Sequence, residues 1–221
     1  MLSSWHLFTR LGEAQFLLPL DFAAMAWLWL GARQGRLALR WLVCMGTAAT
    51  LTTITKLAFI GWGVGSAAWD FTGISGHAMF ASASFPMLAW VAVLNRSTTT
   101  QRAGIALAFV LAAAIAYSRL PVNAHSPSEV LSGFLLGGFA SWVSLRGLPG
   151  SHPAVLPLWL PAALACSLLA LPISAPAPRT HEWVTALSLE ISGRDRPYRR
   201  DDLYRRLQQQ PSVNARPSAS F

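Results

Sequence analysis

The sequence predicts an all-α fold, an integral-membrane bundle of about six transmembrane helices, each needing roughly 20 apolar residues. Three observations carry that prediction. Of 221 residues, 53% are hydrophobic and only 12% are charged, whereas about a quarter of a soluble domain is charged. The mean hydropathy is +0.42, and the ten tryptophans are of a kind that collects at bilayer interfaces. Finally, the apolar residues fall into separate stretches of spanning length, within a range of about 17–25 residues.

The first stretch runs from Ala14 to Gly31 and is followed by Arg33, Arg36 and Arg40. It does not fit a cleaved signal peptide, because Asp21 interrupts it, Leu30 stands where a small residue is wanted, and the arginines follow the run. The second runs from Trp41 to Ile60 and contains Lys56, the sole lysine of the chain. The third runs from His77 to Asn95, the fourth from Ala103 to Tyr117 and the fifth from Ser128 to Leu145. The sixth, Ala154 to Ile173, carries Pro157, Pro161 and Pro172, which membrane helices tolerate when neighbours satisfy the freed carbonyls. Cys44 and Cys166 lie inside apolar stretches and imply no disulfide framework.

Arginine placement sets the orientation. Arg33, Arg36 and Arg40 mark the first connection, Arg96 and Arg102 the third, and Arg146 the fifth. Positive charge marks the cytoplasmic side, so the second and fourth connections face the periplasm or exterior of a bacterial inner (cytoplasmic) membrane. The net charge of +8 is therefore not a nucleic-acid footprint, since the arginines punctuate apolar runs or crowd the C-terminal tail.

The two outward connections hold the chemistry. Gly61, Gly63, Gly65, Gly73 and Gly76 make the second connection glycine-rich, and Ser75-Gly76-His77 opens the next helix. Free amides and the helix dipole at such an end favour an anion, although a serine-capped hairpin between packed helices has the same composition. The fourth connection holds Ser118-Arg119 and then His125, and Ser126-Pro127-Ser128-Glu129 starts the helix after it. Ser126 and Glu129 have the spacing of a capping box, and this role is compatible with catalysis if the carboxylate also reaches His125. Lys56 lies about one turn from the outer end of its helix, where an ionisable group is usually functional unless it snorkels to the interface. Asp21, at similar depth, is a candidate ion-pair partner for it.

Together these residues resemble the superfamily of type-2 phosphatidic acid phosphatases and vanadium-dependent haloperoxidases. Ser75, Gly76 and His77 match its second motif, with Ile74 in place of proline. Ser118, Arg119 and His125 match the third, with Glu129 in place of aspartate. Lys56 matches the start of the first motif, but Gly63-Val64 stand where the family has Arg-Pro. The resemblance covers about Lys56 to Gly133, and the helix layout fits the membrane lipid-phosphatase branch.

The resemblance implies a phosphatase that hydrolyses a lipid phosphate or diphosphate through a phosphohistidine, without metal or other cofactor. His125 would be the nucleophile, Glu129 its carboxylate partner and His77 the general acid and base. Lys56, Ser75, Gly76, Ser118 and Arg119 would bind the phosphate. Its partners are then a phosphorylated lipid substrate and the surrounding membrane lipids. Residues 1–173 form the transmembrane phosphatase domain and 174–221 a basic, partly disordered tail. A non-catalytic membrane protein with a degenerate site is the alternative, supported by Gly63-Val64 and Glu129.

Two further expectations concern packing and the tail. Gly133-x-x-x-Gly137 reads as a small-residue packing face within the bundle. Arg196-Pro197 supplies the dipeptide absent after Lys56, making Arg196 the candidate to reach back and complete the phosphate clamp. The competing reading is a surface-lying amphipathic segment built on Trp183, Leu187 and Ile191.

Overall fold

The computed structural model describes residues 2–94, 96–146 and 179–209. Their regular structure is helical, apart from a single antiparallel bridge between Ser66 and Phe71. Helix α1 (Leu2–Thr9) runs into a 3-10 turn (Arg10–Gly12) and then into α2 (Ala14–Leu30). Gly12 brings this turn against the bundle, since a Cβ there would lie 2.7 Å from Ile115 and 3.1 Å from the His77 carbonyl oxygen.

Helix α3 (Gly35–Trp62) is the longest of the described helices, at 28 residues. It stops at Gly63, which takes the left-handed conformation with φ 68 and donates its N–H to the Phe59 carbonyl at 2.8 Å. Glycine adopts that cap without the steric cost a Cβ would impose. The following loop folds back through the Ser66–Phe71 bridge and returns to α3, where the Ile74 N–H donates to Thr55 Oγ1 at 3.1 Å.

Helix α4 (Gly76–Ala92) is the axis of the molecule, packed most extensively on α5 (Thr98–Tyr117) and α6 (Pro127–Leu145). Apart from His77 its residues are small or apolar, and most are buried, as expected of a helix enclosed by its neighbours. A Cβ on Gly133 would lie 2.5 Å from the Ser75 carbonyl oxygen, and one on Gly137 would overlap Met79. The two glycines are therefore the intramolecular α4–α6 contact. The main apolar core joins Leu20, Met25 and Leu28 of α2 to Trp41 and Met45 of α3 and Met87 of α4.

Five of the six predicted apolar stretches form helices, but three of the described helices, α3, α5 and α6, are long and apolar enough to cross a membrane. The expectation of about six is corrected accordingly. Helices α2 and α4 have 17 residues each, or about 26 Å at the α-helical rise, short of the roughly 30 Å of a bilayer's hydrocarbon core. The stretch from Ala154 to Ile173 lies outside the described residues.

Beyond it the chain forms α7 (Thr180–Ser192) and α8 (Arg200–Gln209). Helix α7 lies against the end of α3, where Ser188 Oγ donates to the Leu57 carbonyl at 3.0 Å and Gly61 leaves room for Ser188. The Tyr198 N–H donates to the Ile60 carbonyl at 2.9 Å, and Leu203 of α8 is buried with Phe59 and Ile60. Trp183, Leu187 and Ile191 remain exposed along α7. At the opposite end of the bundle, Arg40 bonds the Ser144 carbonyl and Arg146 stacks 3.3 Å from the Trp142 ring centre.

Candidate active site

The ends of α3 and α5 and the starts of α4 and α6 meet at one end of the bundle. The chain-distant motifs meet with them. Ser75 is the extended residue before α4; its N–H donates to the Glu129 carbonyl at 3.0 Å, tying the start of α4 to α6. Its Oγ is buried and has no protein partner, as is true of Thr52 Oγ1 and Arg119 Nε. A Cβ on Gly76 would lie 3.7 Å from Lys56 Nζ and 4.0 Å from Thr52 Cγ2, so the ammonium stands at the amino terminus of α4. Gly73, with φ 141, wraps the lysine stem from the other side. Lys56 thus points into the site rather than out along the membrane surface.

His77 lies in the first turn of α4, within electrostatic reach of Arg119, Lys56 and His125. Arg119 follows the end of α5 and is steadied by Thr9, to whose Oγ1 its Nη1 donates at 2.8 Å. Burial draws its pKa below the usual guanidinium value, with Glu13 opposing, and a guanidinium so placed is still a cation at neutral pH. Ser118 is fully buried, and its hydroxyl donates to the Ile115 carbonyl at 2.6 Å. That hydroxyl proton is engaged within its own helix end.

His125 is fixed by Glu129, with Nδ1 and Oε2 2.8 Å apart. A carboxylate accepts from an Nδ1–H, which leaves Nε2 as the basic nitrogen. Burial lowers the His125 pKa below its ordinary value, Glu129 pulls the other way, and Lys56 and Arg119 add to the lowering. The outcome is a neutral imidazole facing cations.

Glu129 is fully buried, and it both caps α6 and reaches His125. The capping box is formed, with the Ser126 N–H donating to Oε2 at 3.1 Å and Ser126 Oγ accepting from the Glu129 N–H. Oε1 also accepts from the Thr72 N–H at 2.7 Å and from Thr72 Oγ1 at 2.5 Å. Arg200 Nη2, on α8, donates to both carboxylate oxygens at 2.9 Å.

The sequence did not single out Thr72, Thr9 or Arg200 for these contacts. Thr72 lay in a loop read only for its glycines, and Thr9 precedes the first apolar stretch. The tail does return to this end of the bundle, but through Arg200 rather than Arg196, whose carbonyl instead accepts from Arg194. Asp21 pairs with Ser84, whose Oγ donates to Oδ2 at 2.6 Å, and not with Lys56. Among the described residues no group of three or more His, Cys, Asp or Glu side chains could hold a metal ion.

A family model described as "PAP2 superfamily" matches residues 46–152, a segment containing every motif residue described above. The chain is also 32% identical over 208 residues to a Klebsiella pneumoniae protein titled "Uncharacterized 22.5 kDa protein in cps region", across 91% of this chain and 98% of that one. No solved structure matches.

Proposed function

The chain belongs to the PAP2 superfamily, and on that footing we propose that it is a metal-independent phosphatase of the membrane lipid-phosphatase branch, acting on a lipid phosphate or diphosphate. The observation that carries this reading is the Glu129–His125 pair, 2.8 Å apart, set among Lys56, Arg119 and His77. Three apolar helices suited to crossing a membrane support a substrate that is itself a membrane component.

In this reading Nε2 of His125 attacks phosphorus. The N–P bond forms as the ester P–O bond breaks, and protonated His77 gives its proton to the departing alkoxide. Glu129 stabilises the imidazolium that develops on His125. Neutral His77 then takes a proton from water, the resulting hydroxide attacks phosphorus, and cleavage of the N–P bond regenerates both histidines. Lys56, Arg119, Ser75 and the Gly76 amide hold the non-bridging oxygens, and such fixed charges and donors supply most of the rate in phosphoryl transfer. The unpartnered Ser75 Oγ and Arg119 Nε are the groups that a phosphate would satisfy. The arginines of the odd-numbered connections lie at the other end of the helices, which favours a site on the periplasmic or outer face of a bacterial inner membrane.

The test is release of phosphate from phosphatidic acid by the purified protein in detergent without added metal, with rapid acid and alkaline quenches. Expected are turnover, an alkali-stable and acid-labile phosphoenzyme, and loss of both in His125→Ala. Turnover that survives His125→Ala overturns the assignment of the nucleophile. Absence of phosphate release from any lipid phosphate supports the non-catalytic alternative.

A further inference from the structure

Arg200 lies outside the segment matched by the family model, yet its side chain reaches into the site. Its Nη2 spans both oxygens of the buried Glu129 carboxylate at 2.9 Å and also approaches Thr72 Oγ1 at 3.3 Å. Its Nη1 meets Asp70 Oδ1 at 2.6 Å and the Asp70 carbonyl at 3.2 Å. Tyr204, one turn along α8, donates to the same Asp70 Oδ1 at 2.7 Å. Asp70 takes a positive φ of 47, so the loop backbone is shaped to present both acceptors. The guanidinium therefore clasps the loop before α4 and the carboxylate that holds His125.

We propose that Arg200 is a positioning residue that acts on the site through Glu129, neutralising the buried carboxylate so that it orients His125 without drawing a second proton onto that ring. This deepens the phosphatase reading and rests on it for its catalytic meaning. A carboxylate whose charge is offset by nothing but imidazole favours the imidazolium, and an imidazolium has no lone pair with which to attack phosphorus. With Arg200 in place, Glu129 answers two partners and the nucleophile stays neutral. The groups facing this pair are Lys56 from α3, His77 from α4, Arg119 from the turn after α5, Asp70 and Thr72 from the loop before α4, and Arg200 and Tyr204 from α8. The cations Lys56 and Arg119 act on His125 itself, whereas Arg200 contacts the carboxylate behind it.

Arg200 does not stand in for the family's arginine after Lys56. That position is Gly63, which ends α3 in a conformation suited to glycine. The guanidinium delivered by α8 reaches the site from the tail, and it engages the histidine's carboxylate rather than the phosphate cradle.

The experiment follows the full-length protein in detergent by 15N-histidine NMR, with the His125 signal assigned by its loss in His125→Ala. The His125 titration midpoint is measured in wild type, Arg200→Ala, Arg200→Gln and Arg200→Lys. Inhibition by inorganic phosphate and the acid limb of phosphatase activity are measured alongside. Arg200→Ala is expected to raise the midpoint by about one unit or more, within the range for loss of a charge this close. Arg200→Gln, which keeps donors but loses the charge, should move it in the same direction and decides the matter if the alanine variant does not fold. Arg200→Lys should restore most of the wild-type midpoint. The acid limb should move with the midpoint, and phosphate inhibition should stay within about twofold, a change of under 0.5 kcal/mol. An unchanged midpoint in folded Arg200→Gln overturns the proposal. So does a large weakening of phosphate inhibition with the midpoint unmoved, which makes Arg200 a direct phosphate ligand. If wild type releases no phosphate, the phosphatase reading fails, while the NMR midpoint still decides whether Arg200 governs His125.

Discussion

Gly133 of α6 lies against Ser75 at the start of α4 so closely that an added Cβ would sit 2.5 Å from the Ser75 carbonyl oxygen. The same helix pair therefore sets both the packing of the bundle and the distance between the two halves of the site, because His77 follows Ser75 and Glu129 precedes Gly133 by one turn. Gly133→Ala forces α6 outward, and overpacking of this kind costs roughly 1–3 kcal/mol. The expected result is a lowered melting temperature with a loss of activity greater than the loss of folded protein. Gly138→Ala, whose Cβ would meet Phe109 at an ordinary 3.6 Å, should change neither. Equal behaviour of the two variants would separate the α4–α6 contact from the site.

The pH dependence follows from His125. Burial holds its pKa below the ordinary value of about 6.5, and attack requires the neutral ring. Activity should therefore fall as pH drops through the depressed folded-state value of His125, and fall again as pH rises through the value of His77, whose proton the leaving group takes. The unfolded chain takes up this proton first, so the stability contributed by His125 also declines as pH falls below about 6.5. Glu129→Gln removes the one neighbour that raises the His125 pKa. Its acid limb should move to still lower pH while the rate falls steeply, with the fold retained because glutamine also closes a capping box. An acid limb that moves upward in this variant contradicts the assignment.

How far the sequence could be read depends on how local each feature is. The helices were legible because apolar stretches of spanning length are long and contiguous. The histidine, arginine and glutamate of the fourth connection were legible because they lie within one turn and the helix it opens. Fewer of the helices are long enough to span a membrane than the apolar stretches suggest, because α2 and α4 each close after 17 residues. Thr72 was hidden because its value lies in a backbone N–H aimed by loop geometry. Arg200 was hidden because its partner is 71 residues away and other arginines crowd the same tail. The Arg196-Pro197 dipeptide drew attention by its letters, whereas the first turn of α8 determines which arginine arrives.

Topology can be checked independently of catalysis. Reporter fusions after Gly35 and Thr99 should report cytoplasm, and fusions after Ser66 and Asn123 the periplasm or exterior, as the arginine asymmetry requires. Because Ser188 and Tyr198 bond the end of α3, a small epitope inserted after Gly193 should share the compartment of Ser66. Finding that epitope in the opposite compartment would be incompatible with α7 and α8 lying at the site end of the bundle.

Gly63 offers a test of why the family arginine is absent here. It closes α3 at φ 68, its N–H bonded to the Phe59 carbonyl and that of Val64 to the Ala58 carbonyl at 3.2 Å. A side chain at that cap costs about 1 kcal/mol, since the left-handed conformation is free of steric penalty only for glycine. The penalty falls where Ile60 accepts from Tyr198 and Phe59 packs on Leu203, so strain at the cap also loosens the seat of α8. Restoring the family residue by Gly63→Arg should therefore lower stability and reduce activity, and Gly63→Ala should lower stability by a similar amount. In a Gly63→Arg, Arg200→Ala double variant, the new guanidinium should fail to recover the activity lost with Arg200, because it starts from the end of α3 and not from beside Glu129. Recovery of wild-type activity in that double variant would mean that any arginine near the loop suffices, and that the clasp of Glu129 and Asp70 by Arg200 is not what the site requires.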